Sequence, residues 1–302
     1  MDISLSVIIP SYNGAHKLPN ILTALEKQTI QDFETVLVVD GSTDNTQEVL
    51  ESKRWQLQNL RVIYKENGGR AVARNTGAKE AKNELLIFFD DDMRPWPECI
   101  AMHLKYQQSY PQGLIAGPAT SDPQKMTTDF LQFKLWAETK NNERFQKDFI
   151  EVSLDNYVFT SANLSVKRQV FWSLDGFDER LNDSEDFVLS MQAFDQNIPI
   201  YFLNKAKAWH DEFATFGRHI HRMNEYRRAK KQVLQMYPKF AEMHKASFQF
   251  TVSPIKKVIL LFFRYNKIWA FFLNSILFKK LFPVSVRFKF YDVIIFASIT
   301  KS

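Results

Sequence analysis

Cysteine is nearly absent: Cys99 stands alone in 302 residues, which forbids an intrachain disulfide, excludes a thiolate zinc cluster and fits a reducing compartment. Glycine is scarce as well, with nine residues, and neither a GxGxxG run nor a Walker A loop occurs. A dinucleotide fingerprint and a P-loop are therefore unsupported. No uncharged apolar run reaches about 18 residues, so a conventional membrane-spanning helix is not expected. Met1-Asp2-Ile3 leads straight into an apolar segment without a basic n-region, which argues against a secretory signal. Acidic residues are sparse in one part of the chain only. Residues 1–204 carry 20 Lys and Arg against 29 Asp and Glu, whereas residues 205–302 carry 19 against 5. A tail with a balance of +14 asks for an anionic partner.

What is present is a globular composition, 45% apolar, long enough for one large domain or two intimate ones. Leu5 to Ile9, Thr35 to Val39, Leu60 to Tyr64 and Leu85 to Phe89 are short apolar runs bounded by polar turns. They read as buried strands. Between them lie helical stretches: Pro19 to about Gln28, a helix from about Thr46 capped by Ser42 or Asp44, and Ala71 to Ala81. That alternation predicts βαβ units and a doubly wound sheet. Ligands of such sheets bind at the carboxyl ends of the strands, where Ser11-Tyr12-Asn13, Asp40 and Asp90-Asp91-Asp92 fall.

Three consecutive carboxylates repel one another and need a counter-charge. Asp90 and Asp92 share a face of an extended segment and can converge on Mg²⁺ or Mn²⁺. A solvated acidic loop before a helix near Pro97 is the simpler reading. Asn182-Asp183-Ser184-Glu185-Asp186 is open in the same way, since Asp183 or Ser184 can cap a helix with acids in its first turn. No nucleophilic triad is apparent. Arg218, His219, His221 and Arg222 read as a solvated basic face rather than a diphosphate clamp.

In order along the chain, Val7-Ile8-Ile9-Pro10-Ser11-Tyr12-Asn13, Val38-Val39-Asp40-Gly41-Ser42-Thr43-Asp44, Asn67-Gly68-Gly69 with Ala73-Arg74-Asn75, and Phe89-Asp90-Asp91-Asp92 resemble the motifs of glycosyltransferase family 2. Ser161-Ala162-Asn163-Leu164-Ser165, Gly176-Phe177-Asp178-Glu179 and Ser184-Glu185-Asp186 are similar to its acceptor-side motifs. The resemblance implies a GT-A fold, a Rossmann-like doubly wound mixed sheet in the α/β class, here with a C-terminal helical, basic-amphipathic extension. It divides the chain into a nucleotide-sugar half at 1–112, an acceptor half at 113–220 and an extension at 221–302. It implies that Pro10 and Tyr12 border a nucleobase, that Asp40 accepts from a pyrimidine N–H, and that Arg74 orients the nucleotide. Arg70 lies within reach of the donor. Asp90 and Asp91 belong near ribose and metal, Asp92 and His210 are metal ligands, and Asp186 is the catalytic base. Val39 stands where the family often has a further aspartate.

The implied reaction is an inverting transfer from a nucleoside diphosphate sugar, expected to be a UDP-sugar, to a saccharide or lipid-linked glycan, with a divalent metal as cofactor. Alternatives are a polyprenyl-phosphate sugar transferase, a nucleotidyltransferase and a non-catalytic membrane scaffold. Met93 after the aspartates and the later Glu185-Asp186 disfavour the first; the lack of a Gly-rich basic loop after the first strand disfavours the second.

From about residue 250 the chain is apolar blocks broken by basic residues. On one helical wheel Lys256, Lys257, Arg264, Lys267, Asn274, Ser275 and Lys279 share an arc. Val258, Phe262, Trp269, Phe272, Leu273 and Ile276 lie opposite. An interfacial helix on an anionic membrane needs this arrangement, so residues 250–302 are expected to hold the protein at the cytoplasmic face as a peripheral protein. The alternative is packing on the catalytic domain. Nucleic acid fits less well, because the aliphatic content exceeds what a phosphate-tracking groove uses. The alternation of Val284, Val286, Phe288 and Phe290 leaves a strand or an extended continuation open.

Overall fold

A computed structural model describes residues 4–52, 55–142, 145, 147–212, 215–243, 254–263 and 266–299. The chain divides into two compact units, one of residues 1–122 and 138–212, the other of residues 123–137 and 213–302.

The first unit is built on an eight-stranded mixed sheet. β1 (Leu5–Ser11), β2 (Glu34–Asp40), β3 (Leu60–Lys65) and β4 (Leu85–Phe89) run parallel in the order β3-β2-β1-β4. The sheet continues through β9 (Asn163–Lys167), antiparallel to β4 and to β6 (Leu114–Ala116), then β10 (Ile200–Leu203) and β8 (Phe149–Glu151). A smaller sheet orders β5 (Met93–Pro95), β11 (Ala208–His210) and β7 (Ala119–Thr120). The connection reverses direction between β1 and β4, which makes the rim between their carboxyl ends the place for a ligand.

Period-two geometry explains the unbroken apolar runs. Ile8, Val36, Val38, Leu86 and Phe88 face one core, shared with α3 (Arg70–Glu80), α6 (Arg168–Ser173) and α7 (Glu185–Asp195). Val7, Ile9, Leu37, Val39, Ile87 and Phe89 face the other, shared with α1 (Leu18–Glu26), α2 (Thr46–Glu51) and α4 (Cys99–Ser109). Both faces are covered, so both sets of side chains must be apolar. Val39 is one of them, buried in that second core.

A polar staple crosses the interior. His103 is fully buried, with Nδ1 2.9 Å from Ser165 Oγ and Nε2 2.8 Å from Asn163 Oδ1. Burial pulls its pKa from 6.5 to about 4, against the Asn163 contact. The unfolded chain therefore takes up a proton that the native state refuses. This group's contribution to stability is complete above pH 6.5 and is lost as the pH falls toward about 4. In urea titrations across that range, His103→Gln is expected to flatten the slope of stability against pH; an unaltered slope would show that another group carries it.

The second unit packs an aromatic core of Phe130, Phe133, Phe216, Phe278, Phe288 and Tyr291. These come from the first turns of α5 (Asp129–Asn142), from α8 (Phe216–Met236) and from helices near the C-terminus. α9 (Pro238–Met243) follows α8. Arg218, His219, His221 and Arg222 lie on α8, with the His219 ring 5.3 Å from Phe130. The stretch read as one amphipathic helix is divided into α10 (Pro254–Phe263), α11 (Asn266–Asn274) and α12 (Ile276–Leu281). Ser275 is extended, and its Oγ caps α12 by accepting from Phe278 N, which resets the wheel. Leu273 is buried and Trp269 and Phe272 pack against the core, while Val258 and Phe262 point outward. Arg264 and the side chains of Lys256, Lys257, Lys267, Asn274 and Ile276 lie outside the described residues.

Residues 284–290, left open between strand and extended chain, are helical. They begin α13 (Val284–Ile299). Its buried positions, Phe288, Tyr291, Ile294 and Ala297 to Ser298, recur at helical spacing that a seven-residue window hides. Arg287 Nη2 also donates to Asp129 Oδ1 at 2.6 Å, an ion pair formed far apart in sequence.

Candidate functional site

The polar ends of β1, β2 and β4 assemble into one rim. Asn13, at φ 51°, stitches the loop after β1 to the loop after β2. Its Oδ1 accepts from Thr43 N at 2.8 Å, and its own N–H donates to Ser42 Oγ at 3.0 Å. Ser42 is thereby drawn away from α2, and Asp44 Oδ1 instead accepts from Thr46 N at 3.1 Å. Pro10 is buried within β1, and Tyr12, half exposed, lies just beyond its end.

Asp40 is buried at the end of β2. Its carboxylate accepts from Gly68 N at 2.9 Å, Gly69 N at 2.8 Å and Lys65 Nζ at 2.7 Å. A base N–H arriving here would share an acceptor already committed to the glycine loop. Gly41 follows at φ 67°, where a Cβ would stand 2.5 Å from Asn67 N, so the turn requires glycine. Gly69 leads into α3, whose first residue, Arg70, is exposed.

Arg74, one turn on, is buried and holds two carboxylates. Its Nη1 donates to Glu185 Oε1 and its Nη2 to Asp90 Oδ1, while Nε has no partner. The guanidinium lies 5.4 Å from the Phe177 ring centroid. Asn75 beside it clasps the turn at Phe177, accepting from its N–H at 3.0 Å and donating to its carbonyl at 2.8 Å. A fork of planar donors suits two carboxylates approaching from different elements. Through it the end of β4 is tied to the start of α7.

Asp186 follows Glu185 and is partly buried, its Oδ1 accepting from Phe187 N at 2.7 Å. Burial and the Glu185 charge push its pKa up to about 6, against the pull of Arg74. Ser184, at φ 65°, precedes the helix without a side-chain capping bond, and Asp183 Oδ1 accepts from Ser184 N at 2.8 Å. The capping alternative therefore has no side-chain bond from Ser184 behind it.

The other two aspartates face elsewhere. Asp91 is buried, accepting from Ser11 Oγ at 2.8 Å and Lys17 Nζ at 2.9 Å. Burial pushes it up to about 6 despite Lys17, and the Asp92 charge adds to the rise. Lys17 also stands 3.8 Å from Asp92 Oδ2. Asp92 Oδ1 is buried without a hydrogen bond, and His210 Nε2 lies 3.4 Å away, at ion-pair distance. Burial alone would raise Asp92, but His210 and Lys17 outweigh it and hold it down at about 2. A buried, ionised carboxylate oxygen whose neighbour is an imidazole 3.4 Å away supplies a donor pair suited to a divalent cation. Among the described residues no group of three or more His, Cys, Asp or Glu gathers there. A cation held by these residues would thus complete its shell from water or other oxygen ligands, as Mg²⁺ usually does.

All ten expected site residues lie in the first unit. Asp90 and Arg74 join Asp186 through Glu185; Asp91 and Asp92 join His210 and Lys17. A profile of glycosyl transferase family 2 matches residues 6–174.

The chain belongs to glycosyl transferase family 2.

Validoxylamine A glucosyltransferase of Streptomyces hygroscopicus subsp. jinggangensis is 29% identical over 222 residues, 65% of this chain and 52% of that protein. Glycosyltransferase GlyG of Streptococcus pneumoniae is 40% identical over 93 residues, 30% of this chain and 31% of that protein. The chain therefore spans about half or less of the length of these curated relatives. S. aureus TarS 1–349 in complex with UDP-GlcNAc matches with a TM-score of 0.57 at 20% identity, over 99% of this chain and 90% of that one. The fold is accordingly a GT-A-like α/β mixed sheet followed by C-terminal helices.

Lys17, Glu185 and Asn13 carry much of the site's geometry; the sequence puts Asn13 at the rim and Glu185 beside the expected base but gives neither a partner, and it gives Lys17 no part. Asn13 and Glu185 stand inside motifs, which was the only available signal. Lys17 stands in no motif, and only the fold brings it to Asp91.

Proposed function

We propose that the protein transfers a sugar from a nucleoside diphosphate sugar, of UDP type, to a hydroxyl of a saccharide or lipid-linked glycan, with inversion. The observation that carries this reading is the Arg74 tie: one guanidinium places the β4 acidic end and the Glu185-Asp186 pair on the same rim. The TarS complex, which binds UDP-GlcNAc on a similar fold, supports the donor class.

Asp186 has the pKa of a base that is ionised at neutral pH yet still takes a proton. In the transfer it removes the acceptor hydroxyl proton as that oxygen bonds to the anomeric carbon. The bond from this carbon to the phosphate oxygen breaks on the opposite face, its electron pair leaving with the diphosphate, and configuration inverts. Arg74 holds Glu185 and Asp90 and so positions the base. Pro10 and Tyr12 border the nucleobase, Asp40 and Arg70 face the nucleotide, and Asp90 and Asp91 lie toward ribose and diphosphate. Asp92 and His210 would hold Mn²⁺ or Mg²⁺, which when bound neutralises charge on the leaving diphosphate.

Thermal unfolding with a panel of nucleotide sugars, with and without Mn²⁺, tests the reading. A UDP-sugar with Mn²⁺ is expected to raise Tm most. No shift from any nucleotide sugar, together with no UDP release, would exclude it. Asp92→Asn is expected to weaken Mn²⁺ binding by about tenfold or more in a calorimetric titration of the metal alone. Unchanged Mn²⁺ affinity would move the metal elsewhere.

A further inference from the structure

The second unit leaves apolar surface uncovered. Among described Val, Leu, Ile and Phe side chains that are largely exposed, the first unit has one, Leu154, whereas residues 258–284 have seven. They are Val258, Leu261 and Phe262 on α10, Ile268 and Phe271 on α11, Leu281 ending α12 and Val284 opening α13. Phe271 is 82% exposed and Val258 67%. The spacings 258, 261, 262 and 268, 271 place each set on one helix face. α10 and α11 are joined where Trp269 Nε1 donates to Phe262 O at 3.0 Å and the two rings meet 5.0 Å apart. The opposite side of α11, with Trp269, Phe272 and Leu273, packs inward. These helices are thus apolar on both sides, one spent on the core and one open.

Charge says what the open side meets. Residues 251–302 carry nine Lys and Arg against a single acid, Asp292. Lys279, Lys280 and Lys289 are exposed. A second copy of the chain would bring like charges together, whereas an anionic surface complements them. We propose that the face formed by Val258, Leu261, Phe262, Ile268 and Phe271 docks the protein on an anionic lipid bilayer, the lysines meeting the headgroups. The helices lie in the interface. α10 has 10 residues and α11 has 9, so at about 1.5 Å per residue neither reaches beyond the middle of a hydrocarbon core of about 30 Å. Among the described residues no helix is long and apolar enough to cross a membrane.

The docking surface is not the one a single wheel assigns. Trp269, Phe272 and Leu273 belong to the core, and Leu261, Ile268 and Phe271 replace them on the lipid side. This inference does not depend on the transferase reading.

Sedimentation of the full chain with vesicles of phosphatidylglycerol and phosphatidylcholine, against phosphatidylcholine alone, tests it. Binding is expected on the anionic vesicles and is expected to weaken in high salt. A Leu261→Ser/Phe271→Ser double variant, altering two outward side chains, is expected to lose about tenfold or more in partitioning. Its Tm should match wild type, which separates a docking defect from a folding one. Absence of binding, equal binding to neutral vesicles, or binding unaffected by the double variant overturns the proposal. So does a dimer in light scattering that the double variant splits, which would assign the face to a second copy.

Discussion

Asp186→Asn is expected to lower the transfer rate by about 10²–10⁴-fold while leaving nucleotide affinity near wild type. Asparagine keeps the shape and cannot accept the hydroxyl proton. In the wild-type enzyme kcat/KM should fall below a pH of about 6, where Asp186 becomes protonated. The same variant is expected to be more stable. The folded state raises this carboxyl from 3.8 to about 6, so it holds a proton that the unfolded chain has released. Its presence therefore favours folding less and less as the pH climbs through that window, and the deficit persists above it. At pH 7.5 the asparagine variant should gain about 1–2 kcal/mol, a stability–activity trade at one residue. Stopped transfer assays and urea midpoints read the two effects separately. Near-normal turnover would remove Asp186 from the mechanism.

Arg74→Met is expected to cost about 3–5 kcal/mol, because Asp90 and Glu185 would face each other without the buried cation that joins them. Arg74→Lys should recover only part of this, since an ammonium cannot reach both carboxylates as a planar fork does. Loss of the guanidinium also removes the positive charge that restrains Asp186, so the acid limb of the pH profile should move upward. Urea denaturation of both variants and a pH–rate profile of the methionine variant check both. An unmoved limb would mean that Arg74 braces the fold without tuning the base.

The first four strands and the polar clusters at their ends were legible because local rules govern them. A central parallel strand must be apolar on consecutive residues, as in Leu85 to Phe89, and a turn must be polar, as at Asp40-Gly41-Ser42. The motif residues were legible through their resemblance to glycosyltransferase family 2 and not through a local rule. The tail was not. Its apolar residues serve two opposite surfaces at once, and a wheel separates Phe272 from Phe271 without telling which of the two packs inward. Ser275 then breaks the register that a wheel assumes.

Sequence alone thus determined which carboxylates stand at the sheet's rim, since position along a strand follows from hydrophobic patterning. Only tertiary structure decided what each one meets. Asp90 and Asp91 are neighbours in the chain, yet one pairs with Arg74 and the other with Lys17 and Ser11. Asp91 and Asp92 lie in a turn after β4, not on extended backbone as the sequence suggested, and the partners come from α3, from the end of β1 and from the start of α1, whose approach the local sequence does not encode. That divergence sets the charge state of each group, and hence which of these acids can bind a cation and which can take a proton.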